Sequence, residues 1–333
     1  MQPQPPTLKA ALKRGALVAA ANWPLVAVQF IAESTMKLML AVPVVGGVFL
    51  VVLRLGANTE EILSDDAGAV IGAVIASLRQ NPVALGAFSI AFLLVLLGGS
   101  ALTFVVKGGT VAVLAAAEAQ AGALERPPLR VDALRRANVT NIEPFLDGCR
   151  RLWRRYLKLG ACLLVVYGLT AAAYLMVMVG GYSIAGNAGV LLGWTIAALL
   201  ASSALIVWIT LVNFLYLLTQ MVIAVEDVGV RAGFRRVAEF VRARLREVAG
   251  IFGIVLLLVL LATIVSILAA ASLGLIAFVP FAGLAVVPLQ VAAWLLRGFV
   301  FQYLALAALG AYLMEYRHYL RATFTPAEGK RPA

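Results

Sequence analysis

The sequence predicts an all-α integral membrane protein, and composition, hydropathy pattern and charge placement each support that prediction. Of the 333 residues, 63% are hydrophobic and 13% are charged, whereas soluble domains average about 45–50% apolar and about 25% charged residues. Uninterrupted apolar runs of about 18 residues or more recur along the chain, as in transmembrane helices. Strands of a membrane barrel would instead alternate apolar and polar residues. The cationic residues fall mostly beside the apolar runs, which argues against an ordinary soluble domain.

Six apolar runs are long enough to cross a bilayer. A hydrocarbon core about 30 Å thick needs about 20 helical residues. The predicted spans are residues 25–53, 83–106, 158–179, 190–218, 250–272 and 284–311. The start of the first span can be interpreted in two ways, because Glu33 and Lys37 lie in its first half. Residues 25–37 either cross the bilayer or lie at its interface.

The distribution of cationic residues predicts the orientation of the chain. The N-terminal arm, the segments after the second and fourth spans, and the C-terminal tail together hold 22 of the 27 Lys and Arg residues. The opposite side holds Arg54 and Arg79, and two of its three loops, 180–189 and 273–283, have no charged residue. By the positive-inside rule, both termini are expected in the cytoplasm.

The spans pair into three units, each consisting of a basic amphipathic helix followed by a helical hairpin. The units lie at about 8–118, 142–226 and 231–315. Phe145 and Phe234 are 89 residues apart, as are Glu226 and Glu315, and this distance sets the repeat. Each unit crosses the membrane twice, so all three have the same orientation. The pattern predicts a rough threefold axis along the membrane normal.

The remaining segments are assigned from composition and prolines. Residues 56–81 are predicted to be an external insertion in the first unit. Residues 119–144 are predicted to be a cytoplasmic linker with a short helix near 130–137. The predicted domain plan is a disordered N-terminal tail (1–7), a membrane domain (8–318) and a cytoplasmic C-terminal tail (319–333).

Charged residues inside or close to the spans form the candidate intramembrane polar site. These residues are Glu33, Lys37, Lys107 and Arg297. A charge in the middle of a bilayer is costly and is expected to face a cavity, a partner or the bundle interior. Glu33 and Lys37 are four residues apart, which suits an ion pair on one helix. Two interpretations stay open: the charges line a polar cavity, or they only stabilise the bundle.

The basic amphipathic segments are the second candidate site. Their apolar stripe and cationic face suit a helix at the inner headgroup layer. The candidate contacts to anionic lipid are Arg150, Arg151, Arg154, Arg155, Arg235, Arg236 and Arg242. The alternative is that these segments are linkers that only set topology. Because the cations lie beside apolar spans, nucleic acid is not an expected partner.

Motifs that would indicate an enzyme are weak or missing. His318 is the single histidine, and the sequence has no HExxH motif. Ser64-Asp65-Asp66 lacks the further acidic residues that a magnesium site would need. The sequence therefore predicts neither catalytic residues, nor a metal, nor a cofactor.

Two adjoining segments carry a resemblance to a known family. They are Val225-Glu226-Asp227-Val228-Gly229-Val230 and Ala232-Gly233-Phe234-Arg235-Arg236, followed by an apolar span. With the repeated unit, they resemble six-span prokaryotic membrane proteins grouped with the membrane domain of glycerophosphoryl diester phosphodiesterase. The resemblance implies a helical module of a prokaryotic inner membrane. It does not imply phosphodiesterase chemistry, since the sequence lacks the soluble catalytic domain with its acidic metal ligands, and it transfers no functional residues.

The functional expectation is a non-enzymatic inner-membrane protein. We expect a lipid-interacting or scaffold subunit that acts with a membrane-protein partner or as a homo-oligomer. The alternative is a transporter or lipid-translocating protein with a polar cavity lined by Glu33, Lys37 and Arg297.

Overall fold

The computed structural model describes residues 7–55, 82–122, 124–125, 131–188, 190–277 and 282–324. Those residues form nine α-helices and no strand: α1 (Leu8–Ala21), α2 (Trp23–Leu55), α3 (Pro82–Gln120), α4 (Val131–Ala137), α5 (Ile142–Ala188), α6 (Leu191–Glu226), α7 (Val230–Ala243), α8 (Leu245–Ala277) and α9 (Ala282–Phe324). The predicted insertion 56–81 and most of both predicted tails lie outside the described residues.

The prediction of six apolar helices is confirmed. Helices α2, α3, α5, α6, α8 and α9 are each long and apolar enough to cross a bilayer. Most are longer than a crossing requires. Helix α5 has 47 residues, or about 70 Å, against a hydrocarbon core of about 30 Å. Part of each long helix therefore projects beyond the bilayer.

The projecting parts meet at one end of the bundle. Arg317 of α9 lies 2.8 Å from Glu118 of α3, and the Tyr316 hydroxyl donates a hydrogen bond to Glu226 at the end of α6. The cationic helices α1 and α7 and the first turns of α5 pack at the same place. We call this the basic end, and we define it by Arg14, Arg155, Arg236, Arg244 and Arg317.

Close helix contacts at the basic end depend on glycine. Helix α1 packs extensively on α9, and a Cβ on Gly15 would lie 2.2 Å from the Ala307 carbonyl oxygen. Helix α3 packs extensively on α5, and a Cβ on Gly109 would lie 2.6 Å from the Cys149 sulfur. Small residues let helix backbones approach in this way in membrane bundles. Helix α7 packs on α6, where Gly233 faces Ile223.

The amphipathic segment of the second unit differs from its expected form. It is not a separate helix but the first part of α5, which runs without a break from residue 142 into the apolar span. Pro144 lies in the first turn, where a missing N–H costs nothing. Gly160, the weakest helix former at the transition, packs against the Phe104 ring, and this contact supports the continuous helix.

Asn22 fixes the junction between α1 and α2. Its side chain is fully buried, and its amide donates hydrogen bonds to Val18 O (2.9 Å) and Ala137 O (2.7 Å). Its Oδ1 accepts hydrogen bonds from the Val139 N–H and the Thr140 hydroxyl. The linker that contains α4, in the range where a short helix was predicted, is thereby attached to the bundle.

The apolar spans contrast with the basic end. No residue in the most apolar 18-residue window of α5 or of α6 is buried by protein. Leu169 in α5, for example, is 68% exposed. Lipid tails are as apolar as leucine, so such surfaces gain nothing by packing on each other unless their shapes fit closely. The spans therefore present their apolar side chains to lipid.

Candidate functional site

A central cavity of about 380 Å³ lies between five of the long helices. Helices α2, α3, α6, α8 and α9 each contribute side chains to its wall. Its polar lining residues are Gln29, Glu33, Lys107, Thr210, Asn213, Tyr216, Gln220, Gln302 and Tyr312. Polar side chains are costly in lipid, so their gathering here places them around a shared space instead.

A second space, the polar chamber, adjoins the central cavity. It has a volume of about 450 Å³ and is lined by Glu33, Lys37, Arg297, Gln302 and neighbouring side chains. Glu33, Phe301 and Gln302 line both spaces. The Gln302 amide donates a hydrogen bond to Glu33, and Lys37 lies 3.8 Å from the same carboxylate.

All four residues of the predicted polar site therefore line these two adjoining spaces. Lys107 lines the central cavity with Glu33, which attracts it electrostatically. The Lys107 ammonium lies 5.6 Å from the centre of the Tyr216 ring, within cation–π range. Arg297 lines the chamber, and its guanidinium lies 5.7 Å from the centre of the Phe301 ring.

Uncharged polar side chains complete the cavity, and two of them, Gln29 and Tyr216, were not predicted from the sequence. Gln29 lies one helical turn before Glu33, and its Oε1 is buried with no hydrogen-bond partner among the described residues. The Tyr216 hydroxyl and the Gln220 amide nitrogen face each other one turn apart, without a hydrogen bond of normal geometry. Buried polar groups are nearly always paired. The cavity is therefore suited to a polar occupant such as water or a ligand headgroup.

Hydrogen bonds between α5 and α6 flank this region. The Tyr167 hydroxyl donates to Asn213 Oδ1 over 2.6 Å, and the Trp208 indole N–H donates to the Thr170 hydroxyl over 3.0 Å. A third bond, of 2.9 Å, joins the hydroxyl groups of Tyr174 and Ser202. These bonds hold two spans together where side-chain burial is slight.

The basic end is held by ion pairs that the sequence did not predict. Arg14 and Glu118 are both buried, and Arg14 Nε lies 3.1 Å from Glu118 Oε1. Arg14 also pairs with Glu125 at 2.8 Å, and Arg317 contacts the other oxygen of Glu118. Arg244 lies 3.9 Å from the buried carboxylate of Glu315. These charges have partners, so their role is structural.

The seven arginines predicted to contact lipid fall into two groups. Four have acidic neighbours: Arg155 and Arg151 lie 2.5 and 3.9 Å from Asp227, Arg235 lies 3.1 Å from Glu239, and Arg236 lies 3.5 Å from Glu226. Asp227 follows the last residue of α6 and has a φ of 55°, and its carboxylate lies against Arg151 and Arg155 of α5. The other three, Arg150, Arg154 and Arg242, are exposed and make no ion pair within the described residues.

The described residues include no group of three His, Cys, Asp or Glu placed to hold a metal ion. Comparison with known proteins found no matching family model, no matching curated protein and no matching solved structure. The resemblance to six-span prokaryotic proteins thus stays a prediction from the sequence.

Proposed function

We propose that this protein is a non-enzymatic, multi-pass protein of a prokaryotic inner membrane that binds anionic lipid at its basic end. In this role it acts as a lipid-interacting or scaffold subunit of a membrane assembly, with a membrane-protein partner or with further copies of itself. The observation that carries the proposal is the continuity of α5 from its cationic first part into its apolar span.

Helix α5 runs unbroken from a cationic surface into a lipid-exposed span. Arg150, Arg154 and Lys158 are exposed on its first part, and Leu169 is exposed about three turns beyond Lys158. A rigid helix therefore fixes these cations at the depth where lipid headgroups lie. Each cation near an anionic surface contributes about 1 kcal/mol to binding.

Native mass spectrometry of the protein in a mild detergent tests this role. Phosphatidylglycerol and phosphatidylcholine of equal chain length are offered together. We expect preferential retention of phosphatidylglycerol. The combined substitution Arg150→Ala, Arg154→Ala and Arg242→Ala should weaken it about a hundredfold, because three contributions of about 1 kcal/mol are lost.

The matched control changes the same three positions to lysine, which keeps the charges and should keep the binding. Equal retention of the two lipids by the unmodified protein would contradict the proposal, as would undiminished retention in the alanine variant. A stoichiometric protein that co-purifies from native membranes would support the scaffold role.

We infer that the basic end faces the cytoplasm, as the asymmetry of cations favours. A C-terminal fusion should then give fluorescence with a green fluorescent protein and no activity with a periplasmic alkaline phosphatase. The reverse pattern would overturn this orientation.

The predicted three-unit organisation is also part of the proposal. Its support is a cyclic order of contacts: α1 packs on α9, the first turns of α5 on α3, and α7 on α6. In each case the amphipathic segment of one unit contacts the last helix of the unit before it, and the first unit follows the third. An experimental density map should relate the three units by successive rotations about one axis.

A second candidate function is transport or lipid translocation. The central cavity and the polar chamber favour it, because they form a polar space that extends from Lys107 to Arg297. Glu33→Gln and Arg297→Ala should then abolish the flux of substrate across the membrane of reconstituted vesicles. The expression level of both variants should be unchanged. Unchanged flux in both variants would exclude this function.

A further inference from the structure

Arg297 is a charged residue inside a predicted span that makes no ion pair with the described residues. It lies near the middle of the predicted span 284–311, about four helical turns from either end. It is exposed and lies against the Phe301 ring, and no carboxylate is within ion-pair distance of it among the described residues. An arginine at this depth normally has a partner.

An apolar groove begins at the same residue. The groove lies between α8 and α9, has a volume of about 450 Å³, and is lined mainly by small and aliphatic residues such as Ala262, Val265, Ala269 and Leu273. Ser266 and Gln290 are its uncharged polar lining residues. Its volume is within the range of about 300–1,000 Å³ that is typical of small-molecule sites. Ala269 and Val265 are exposed, so a bilayer lipid can enter the groove from the side.

Arg297 joins the groove to the polar chamber. Trp294, Arg297 and Phe301 line both spaces. In the chamber, Glu33 is already paired with Lys37 and bonded to Gln302. The charges of Glu33 and Lys37 cancel, so the guanidinium of Arg297 leaves the chamber with one net positive charge. The combined space is apolar on one side of Arg297 and cationic on the other.

The polar part of the site lies on the side of the basic end. On α9 the chamber residue Gln302 lies closer to the basic end than the groove residue Ala293. On α8 the chamber residue Thr263 likewise precedes every groove residue except Ala262. A lipid whose headgroup points towards the basic end has the same direction. Because Arg297 lies near the middle of the span, a headgroup against it lies deeper than the headgroups of the surrounding bilayer.

We propose that the chamber and the groove together bind one anionic phospholipid, whose headgroup points towards the basic end and lies within the bundle, deeper than the headgroups of the surrounding bilayer. Its phosphodiester group lies against Arg297, whose planar fork can donate two parallel hydrogen bonds to phosphate oxygens. One acyl chain fills the groove, and the second chain stays in the bilayer. This site is separate from the exposed arginines of the basic end.

Quenching of Trp294 by brominated acyl chains tests the proposal, because bromine quenches tryptophan on contact. The full-length protein in mixed micelles is titrated with brominated phosphatidylglycerol. The Trp294 signal is the tryptophan fluorescence of each protein minus that of the same protein carrying Trp294→Phe. We expect saturable quenching of this signal. Arg297→Gln should weaken the apparent affinity about tenfold or more, since it removes hydrogen bonds to a charged group.

Two further variants separate the site from general effects. Ala269 faces lipid, and Ala269→Phe fills the groove without changing the charge of the protein. This substitution should also reduce the affinity about tenfold or more, since the acyl chain of the lipid loses its apolar contact. Arg246→Gln removes an exposed cation at the basic end and should leave quenching unchanged. Arg297→Lys keeps the charge but loses the planar fork, so its affinity should lie between those of the unmodified protein and Arg297→Gln.

Three results would overturn the proposal. The first is that brominated phosphatidylcholine quenches Trp294 as strongly as brominated phosphatidylglycerol does. The second is that Ala269→Phe and Arg297→Gln both leave the titration unchanged. The third is that a brominated fatty acid saturates the signal whereas phosphatidylglycerol does not, which would assign the site to a free carboxylate.

Discussion

The basic end and the apolar spans of the same helices are stabilised by different means. In α5, Leu152 and Tyr156 at the basic end are fully buried, and the Tyr156 hydroxyl donates a hydrogen bond of 2.8 Å to Gln220 O. Further along the same helix, Leu169 and Leu175 are exposed. Outside the bilayer, apolar burial and paired charges must hold the helices together, as in a soluble protein. Inside it, lipid covers the helices.

This difference locates both stability and function. The basic end has a dense core, buried ion pairs and closely packed glycines, and so it is the part expected to determine the fold. The spans have few buried side chains, and there the helices enclose polar space around Glu33 and Arg297. The proposed lipid sites lie on surfaces whose position depends on the core of the basic end but which are not part of that core.

The largest expected effect is from breaking the buried charge network. Arg14→Ala removes the partner of the buried Glu118 and of Glu125. Loss of one partner of a buried pair costs about 3–5 kcal/mol, although Arg317 should offset part of it by keeping its contact with Glu118. The midpoint of thermal unfolding in detergent measures the effect. Arg154→Ala, at an exposed site, should change stability by less than about 0.5 kcal/mol, and an equal loss in both variants would contradict the assignment.

The next largest expected effect is a difference in stability between the alanine variants of two glycines. A Cβ on Gly15 would meet the backbone of α9, which cannot move aside like a side chain. Gly15→Ala should therefore destabilise the protein by about 1–3 kcal/mol. Gly168 in the span of α5 has open space around it, and Gly168→Ala should be neutral or slightly stabilising because alanine favours helix. The same unfolding experiment compares them, and destabilisation by Gly168→Ala would count against a lipid-covered surface there.

The smallest expected effect concerns the hydrogen bonds between spans. Tyr167→Phe deletes the bond to Asn213 and leaves the ring in place. Bonds between membrane helices contribute about 0.6 kcal/mol on average, so the unfolding midpoint should fall only slightly. Asn213→Leu in the Tyr167→Phe background should add little, because the bond is already absent. A loss as large as that of Arg14→Ala would show that the spans have a polar core of their own.

The sequence predicted the part of the fold that depends on local pattern. Continuous apolar runs gave the six spans, and charges inside those runs identified Glu33, Lys37, Lys107 and Arg297, because a charge in an apolar segment stands out. The pairing of Arg14 with Glu118, 104 positions apart, has no local signal. Neither does the role of Asn22, whose partners lie in a linker far along the chain.

Two of the uncharged cavity residues were missed for a related reason. Gln29 and Tyr216 are ordinary in an amphipathic or interfacial helix, and only their convergence with other helices makes them part of a polar space. The continuity of α5 was also missed, since a change from amphipathic to apolar pattern suggests two helices. No proline or chain reversal separates the two parts, and the backbone simply continues.

The contrast between the two regions is tested most directly by one substitution at two positions of α5. Leu152 is fully buried at the basic end, and Leu169 is 68% exposed in the span. Leu152→Ala should lower the free energy of unfolding by about 2–5 kcal/mol, the range for a buried leucine. Leu169→Ala, which exchanges one lipid-facing apolar group for a smaller one, should change it by less than about 0.5 kcal/mol. Equal losses at the two positions, or a larger loss at Leu169, would contradict the division into a protein-packed end and lipid-covered spans.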